Sequence, residues 1–272
     1  MKLGFSTLGC PDWKWSEVLN TAKDMRIDGI ELRGLEEEID PLKIEVLDEE
    51  HLAGTLAQLQ GAGIEIPMLG SSVVLGGADA REQAEEAKKH IDFASRAGIP
   101  FVRVLISLQP EPDPTSNFDQ ARQLYQELCR YAQGKQVRVL VETCGILGDS
   151  SRMKAFVEGA DPETSGVLWD IHHPYRYFGE TPAQTYENLK GLVQYVHVKD
   201  SAMENGRLEY RMMGLGDVPV YDAVKVLHQA GYTGYLMLEW VKRWRPDLRD
   251  PDVIFYQFQS YMETLLEEVE NG

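Results

Sequence analysis

Cysteine is scarce in this sequence. Three residues, Cys10, Cys129 and Cys144, occur among 272, and no two of them stand in Cys-x-x-Cys spacing. That excludes a disulfide framework and fits a reducing cytoplasm. Long apolar runs are also missing, since nothing approaches the roughly 20 residues needed to span a bilayer. Leu8-Gly9-Cys10 superficially resembles a lipoprotein cleavage box. Too few residues precede it for an apolar h-region of about 7–15 residues, so the segment is expected to be the first strand of a mature cytoplasmic protein. Positive charge is in short supply: 27 Lys and Arg face 44 Asp and Glu, giving a formal net charge of -17. A nucleic acid as the main partner needs the opposite balance. Much of the excess acid lies in runs such as Glu36–Glu38 and Glu267–Glu270, which serve solubility. There is no linker and no low-complexity stretch, so a single domain over residues 1–272 is expected.

What is present is an alternation of strand-like and helix-like segments. Strand candidates are Lys2–Thr7, Gly29–Arg33, Ile64–Leu69, Val102–Ile106, Arg138–Glu142, Gly166–Asp170, Tyr195–Lys199 and Tyr235–Glu239. Between them, Trp13 onward (capped by Asp12), Ala80–Ala97 (capped by Asp79, ended by Gly98), Ser116–Tyr131, Thr181–Leu189, Tyr221–Ala230 and Pro251–Glu268 carry helical signals. Eight such units predict an α/β fold, a (β/α)8 TIM barrel, for which about 250 residues is the usual length. An open doubly wound sheet would carry Gly-x-Gly-x-x-Gly after its first strand, where this chain reads Ser6-Thr7-Leu8-Gly9-Cys10-Pro11. The loops Gly70–Gly77 and Leu108–Asn117 would overhang the catalytic mouth.

The last four strand candidates each end in a residue able to bind a divalent metal: Glu142 in RVLVETCG, Asp170 in GVLWDIHHPYR, His197 in VQYVHVKD and Glu239 in GYLMLEW. Chemistry in a parallel barrel sits at the carboxyl ends of strands. Side chains alternate along a strand. Val139, Val141, Trp169, Ile171, Val196, Val198, Leu238 and Trp240 therefore face outward, while Glu142, Asp170, Tyr195, His197, Lys199, Met237 and Glu239 face inward. Any one inward acid could be a buried ion pair, and a lone histidine could be a hydrogen-bonded core residue. Four in one phase point instead to one metal site, because three crowded carboxylates without a cation would repel one another. Its oxygen-rich set with a single imidazole suits Mn²⁺, the favoured ion, or Co²⁺, Mg²⁺ or Zn²⁺.

These residues resemble the xylose isomerase-like TIM barrels of the sugar phosphate isomerase/epimerase group, through VETCG, WDIHHPYR, HVKD, GLGDVP and the final LEW. The resemblance implies a metal held by Glu142, Asp170, His197 and Glu239. It also implies that Glu142 and Glu239 are the acid/base pair and that His173 contacts substrate. The chain departs from the ketohexose 3-epimerases: Gly148 stands where they carry a further glutamate, and Met203 where they carry an arginine, a role that Arg207 or Arg211 could fill. The repair nucleases of the group use a larger histidine-rich set that is not found here.

The expected activity is that of an isomerase or epimerase of a sugar, keto-inositol or related polyhydroxy carbonyl compound, by proton transfer next to a carbonyl. The runner-up is a dehydratase or β-eliminating lyase on the same substrate class. A non-catalytic barrel subunit and an abasic-site endonuclease stand lower. Lys199 could contact substrate or neutralise a neighbouring carboxylate. Glu31 and Arg33 share a phase and could bind hydroxyls or pair internally. Tyr175 and Arg176 could close over a ligand or cap their loop. Trp13, Trp15, Trp240 and Trp244 could stack on a sugar or simply pack. Cys144 lacks an adjacent base and is not expected to be a nucleophile. No membrane or nucleic-acid partner is expected, and a homodimer is the expectation by analogy with barrels of this kind.

Overall fold

Short β-branched and apolar runs, buried on both faces, can satisfy their backbone only in a parallel sheet covered by helices. The structure, a computed structural model describing residues 1–272, forms such a sheet and closes it. Its elements in chain order are β1 (Lys2–Ser6), α1 (Trp15–Asp24), β2 (Gly29–Glu31), α2 (Leu52–Ala62), β3 (Met68–Leu69), α3 (Ala80–Ala97), β4 (Phe101–Val104), α4 (Phe118–Ala132), β5 (Arg138–Glu142), α5 (Ser150–Val157), β6 (Ser165–Asp170), α6 (His172–Phe178), α7 (Pro182–Leu189), β7 (Val193–Val198), β8 (Asp200–Glu204), β9 (Arg207–Arg211), α8 (Val220–Gln229), β10 (Tyr235–Leu238) and α9 (Pro251–Asn271). Eight parallel strands run β2-β1-β10-β7-β6-β5-β4-β3. Parallel bridges Gly29–Glu65 and Leu32–Leu69 join the two ends, completing a single-domain (β/α)8 barrel. No helix is long and apolar enough to cross a membrane.

Alternation along the strands builds two cores. The outer one, between sheet and helices, takes Val139, Val141, Val167, Trp169, Val196, Val198, Leu236 and Leu238. The barrel's own interior takes Met68, Leu140, Leu168, Tyr195, Tyr235 and Met237. A bulge opposite Val167 and Leu168 passes over Gln194, and beyond it Asp170 pairs with His197. Both side chains therefore emerge on the inner side at one level.

Several element ends differ from expectation. Helix α1 begins at Trp15 rather than Trp13, with Lys14 instead of Asp12 at its N-cap, because the Glu17 carboxylate accepts the Lys14 N–H (2.9 Å). Asp79 does stand at the N-cap of α3, but its carboxylate accepts from the Gln83 side chain (3.0 Å) rather than from a backbone N–H. Helix α4 starts at Phe118 under Asn117, whose side chain accepts the Gln120 N–H (3.1 Å). Helices α2, α5 and α6 lie outside the segments with helical signals, and the antiparallel β8–β9 hairpin interrupts the expected β/α alternation.

Candidate metal centre and barrel mouth

Glu142 closes β5 and Asp170 closes β6; His197 lies near the end of β7, and Glu239 follows β10, its N–H held by the Val198 carbonyl (3.1 Å). All four are buried. One donor atom from each lies within 4.8 Å of the others. The strand order fixes how they meet: β10, β7, β6 and β5 are consecutive neighbours, so the two glutamates flank the aspartate and histidine from opposite sides.

Each ligand candidate is pinned from behind. His197 Nε2 lies 2.7 Å from Glu31 Oε2, and both residues are fully buried. Burial alone would lower the imidazole pKa, but Glu31 and Glu239 outweigh it and raise it to about 9. Arg103, on β4, donates from Nη1 to Glu142 Oε2 (2.9 Å) and from Nη2 to the Ser71 carbonyl (3.0 Å), with Nη1 also 3.5 Å from Glu239 Oε1. The Lys199 ammonium donates to both Asp170 Oδ2 and Glu239 Oε2. Burial raises the Glu239 pKa, yet the charges of Lys199, His197 and Arg103 hold it well below the usual carboxylate range. The Asp170 N–H donates to Thr143 Oγ1 (2.9 Å), which fixes the start of the following turn.

These residues fit a divalent cation. His197 Nδ1 is buried, has no hydrogen-bond partner and sits 3.5 Å from Glu239 Oε1. With Nε2 anchored on Glu31, Nδ1 is the nitrogen a cation would claim, displacing the proton that the raised pKa puts there. Three carboxylates beside it supply the hard oxygens that Mg²⁺, Mn²⁺ or Zn²⁺ accept.

His173 Nδ1 lies 2.9 Å from the Thr143 carbonyl, which turns Nε2 toward Asp170 Oδ2 at 3.6 Å. The structure thus brings His173, Glu31 and Lys199 to the cluster. It does not bring Arg211, whose guanidinium pairs with Glu204 across the β8–β9 hairpin. Nor does it bring Tyr175, which packs against the outer core with the Arg176 guanidinium 5.2 Å over its ring. Arg176 itself ties Ser201 (2.8 Å to Oγ) to Asp217, securing the loop behind the hairpin. Among the tryptophans, Trp15 and Trp240 are core residues, Trp13 packs edge-on against Phe255, and only Trp244 is exposed. Cys144 is buried with its thiol on the Gln109 carbonyl (3.4 Å), and burial pushes its pKa well up, so it is no ready thiolate.

Three further residues shape the mouth. Arg103 is missing from the sequence-derived candidates, although alternation in FVRV puts it inward between Val102 and Val104. Tyr210 on β9 stacks on His172 (5.8 Å between ring centres), and Tyr177 lies 6.0 Å from His173 while its hydroxyl donates to Glu111 (3.2 Å).

In sequence, residues 19–255 match the model of the xylose isomerase-like TIM barrels, and the chain belongs to that family. No curated protein matches it significantly. Among solved structures, the IOLI protein with a bound zinc atom superposes with a TM-score of 0.81 at 16% identity, covering 98% of this chain and 99% of that one. A xylose isomerase-like TIM barrel protein from Mycobacterium smegmatis in complex with magnesium gives 0.74 at 15% identity, over 98% and 97%. D-allulose 3-epimerase from Methylomonas sp. gives 0.77 at 18% identity, over 97% and 98%. At these identities the likeness is one of fold.

Proposed function

We propose that this protein is a divalent-metal-dependent isomerase or epimerase of a small polyhydroxylated carbonyl compound: a sugar, keto-inositol or sugar acid. The observation that carries this reading is the convergence of Glu142, Asp170, His197 and Glu239, one donor atom from each within 4.8 Å of the others, with His197 Nδ1 left unpartnered. A divalent ion held there, with Mn²⁺ favoured, would supply Lewis-acid polarisation of a substrate carbonyl and its adjacent hydroxyl. Glu142 and Glu239 are the acid/base pair: one takes the proton α to the carbonyl, and the other returns it from the opposite side. Their placement at the ends of β5 and β10, with β6 and β7 between them, supports this division. Arg103 contacts both carboxylates, holding their charge and orientation. His173, fixed by the Thr143 carbonyl, is placed to bind a substrate hydroxyl. An epimerase and a metal-binding protein among the superposable structures support the reading.

A dehydratase is the second reading, favoured by one observation. Lys199 is a buried ammonium bonded to two ligand carboxylates, its protonated form held by Asp170 and Glu239 against the cost of burial. Such a group could protonate a departing β-hydroxyl. Incubation of the metal-loaded protein with a keto-inositol and with ketohexoses in D₂O separates the two. Deuterium uptake at unchanged skeleton supports isomerisation, and loss of water supports the lyase. Neither event, with metal bound, sinks both.

A further inference from the structure

Arg33 is the one buried cation of the barrel mouth without an ionic partner. It stands two residues beyond β2 with 4% of its surface exposed. Nη1 donates to Ser72 Oγ (2.9 Å), and no carboxylate lies within 4.0 Å of its guanidinium. Its Nε and Nη2 make no hydrogen bond, yet unlike Arg103 Nε they are not sealed from solvent. Burying an arginine without a carboxylate is costly, so a free guanidinium edge here needs a reason. The side chain lies over Gly70, where even an added Cβ would come within 2.7 Å of Arg33 Cδ, so Gly70 and Ser72 hold the stem in place. Glu31, Glu142 and Glu239 are near enough to act on its charge, as is Arg103. Burial lowers its pKa to about 9, with Arg103 adding to the effect, which leaves it charged at neutral pH.

The charge balance of the mouth points the same way. Four buried carboxylates, Glu31, Glu142, Asp170 and Glu239, face three buried fixed cations, Arg33, Arg103 and Lys199. Arg103 and Lys199 are committed to those carboxylates. With His197 protonated in the absence of metal, the mouth is neutral, and a divalent ion that displaces that proton leaves it at plus one, with Arg33 holding the uncommitted charge. Glu111 lies further out, exposed at the rim.

We infer that Arg33 is a specificity-determining residue that receives a carboxylate of the substrate, so that the natural substrate is a keto or hydroxy sugar acid rather than a neutral sugar. A planar guanidinium with free N–H groups matches a carboxylate's two oxygens. A single negative charge matches the loaded mouth, whereas a phosphate dianion would overshoot it. This inference narrows the substrate of the site proposed above and rests on that reading for the chemistry, not for the role of Arg33.

The test is calorimetric binding of three ligands to protein of measured metal content: 2-keto-D-gluconate, D-fructose, which replaces the carboxylate by a hydroxymethyl group, and D-fructose 1-phosphate. The metal-loaded protein is expected to prefer the keto acid over fructose by about tenfold or more, the worth of one charged hydrogen-bonding pair. Arg33→Met should abolish that preference, weakening the keto acid far more than fructose at the same metal content, and Arg33→Lys should restore part of it. The metal-free protein should bind both more weakly with the same Arg33-dependent preference, so a protein without metal refutes the isomerase reading alone. Equal affinity for the two, no binding of the keto acid at millimolar concentration, tighter binding of the phosphate, or a preference that survives Arg33→Met would overturn the inference.

Discussion

His197 and Glu31 meet at 2.7 Å across the barrel, although 166 residues separate them in sequence. The contact leaves Nδ1 as the only free nitrogen of the imidazole and aims it at Glu239. Carboxylates behind a ligating histidine orient the ring and raise its basicity, and their loss typically costs about 10–100-fold in metal affinity. Glu31→Gln is therefore expected to weaken Mn²⁺ binding by that factor while the fold persists. Titration calorimetry beside a circular dichroism melt checks this, and unchanged affinity counts against the arrangement.

The two glutamates make separable predictions. If Glu142 and Glu239 serve opposite faces, replacing either by Gln lowers turnover by about 10²–10⁴-fold, as for a lost general base. Each variant should still exchange the α-proton of one epimer with D₂O, and the surviving epimer should differ between Glu142→Gln and Glu239→Gln. Proton NMR reads this directly. Loss of exchange from the same epimer in both variants would show a single base.

The loop holding the β8–β9 hairpin has no room at Gly216. A Cβ there would lie 2.1 Å from Asp200 Oδ1 and 2.3 Å from the Ser201 carbonyl, and the second of these is backbone. The same Asp200 carboxylate accepts N–H groups from Gly214 (2.9 Å), Gly216 (2.8 Å) and Val218 (3.2 Å). Gly216→Ala is expected to destabilise by about 1–3 kcal/mol through overpacking. Gly54→Ala, in α2 with nothing near its Cβ, should instead stabilise by about 0.4–1 kcal/mol. Urea denaturation of both variants gives the two signs.

All three cysteines are buried. Burial raises the Cys129 thiol to about 12 and pushes Cys10 and Cys144 upward as well. The thiolate is the reactive form, so iodoacetamide at pH 8 should leave the native protein unmodified and label all three sites after denaturation. Selective labelling of Cys144 in the native state would contradict its burial and reopen a nucleophilic role.

The barrel was legible because strand alternation leaves a period-two record. That record placed Val196 and Val198 outside and His197 inside, as they are. Arg103 carries the same record and could have been read from it. The hairpin also left a signal, since Asn205 and Gly206 adopt the positive φ values (51° and 76°) of a two-residue turn. The hairpin breaks the β/α alternation, so that alternation encodes neither it nor the position of Tyr210. The carboxylate behind His197 is a different case. Glu31 stood out as an inward acid, but its partner on β7 is set by barrel closure, which no local pattern encodes. Arg211, like Arg207, offers itself only as a substitute for the arginine that the ketohexose 3-epimerases carry where Met203 stands, whereas the hairpin pairs it with Glu204.

Anomalous diffraction from a manganese-soaked crystal tests the metal centre most directly. One peak per chain is expected, ligated by Glu142, Asp170, His197 Nδ1 and Glu239, and it should vanish in Asp170→Ala. A mouth without a peak, or an ion held elsewhere with His197 Nδ1 still unliganded, would contradict it.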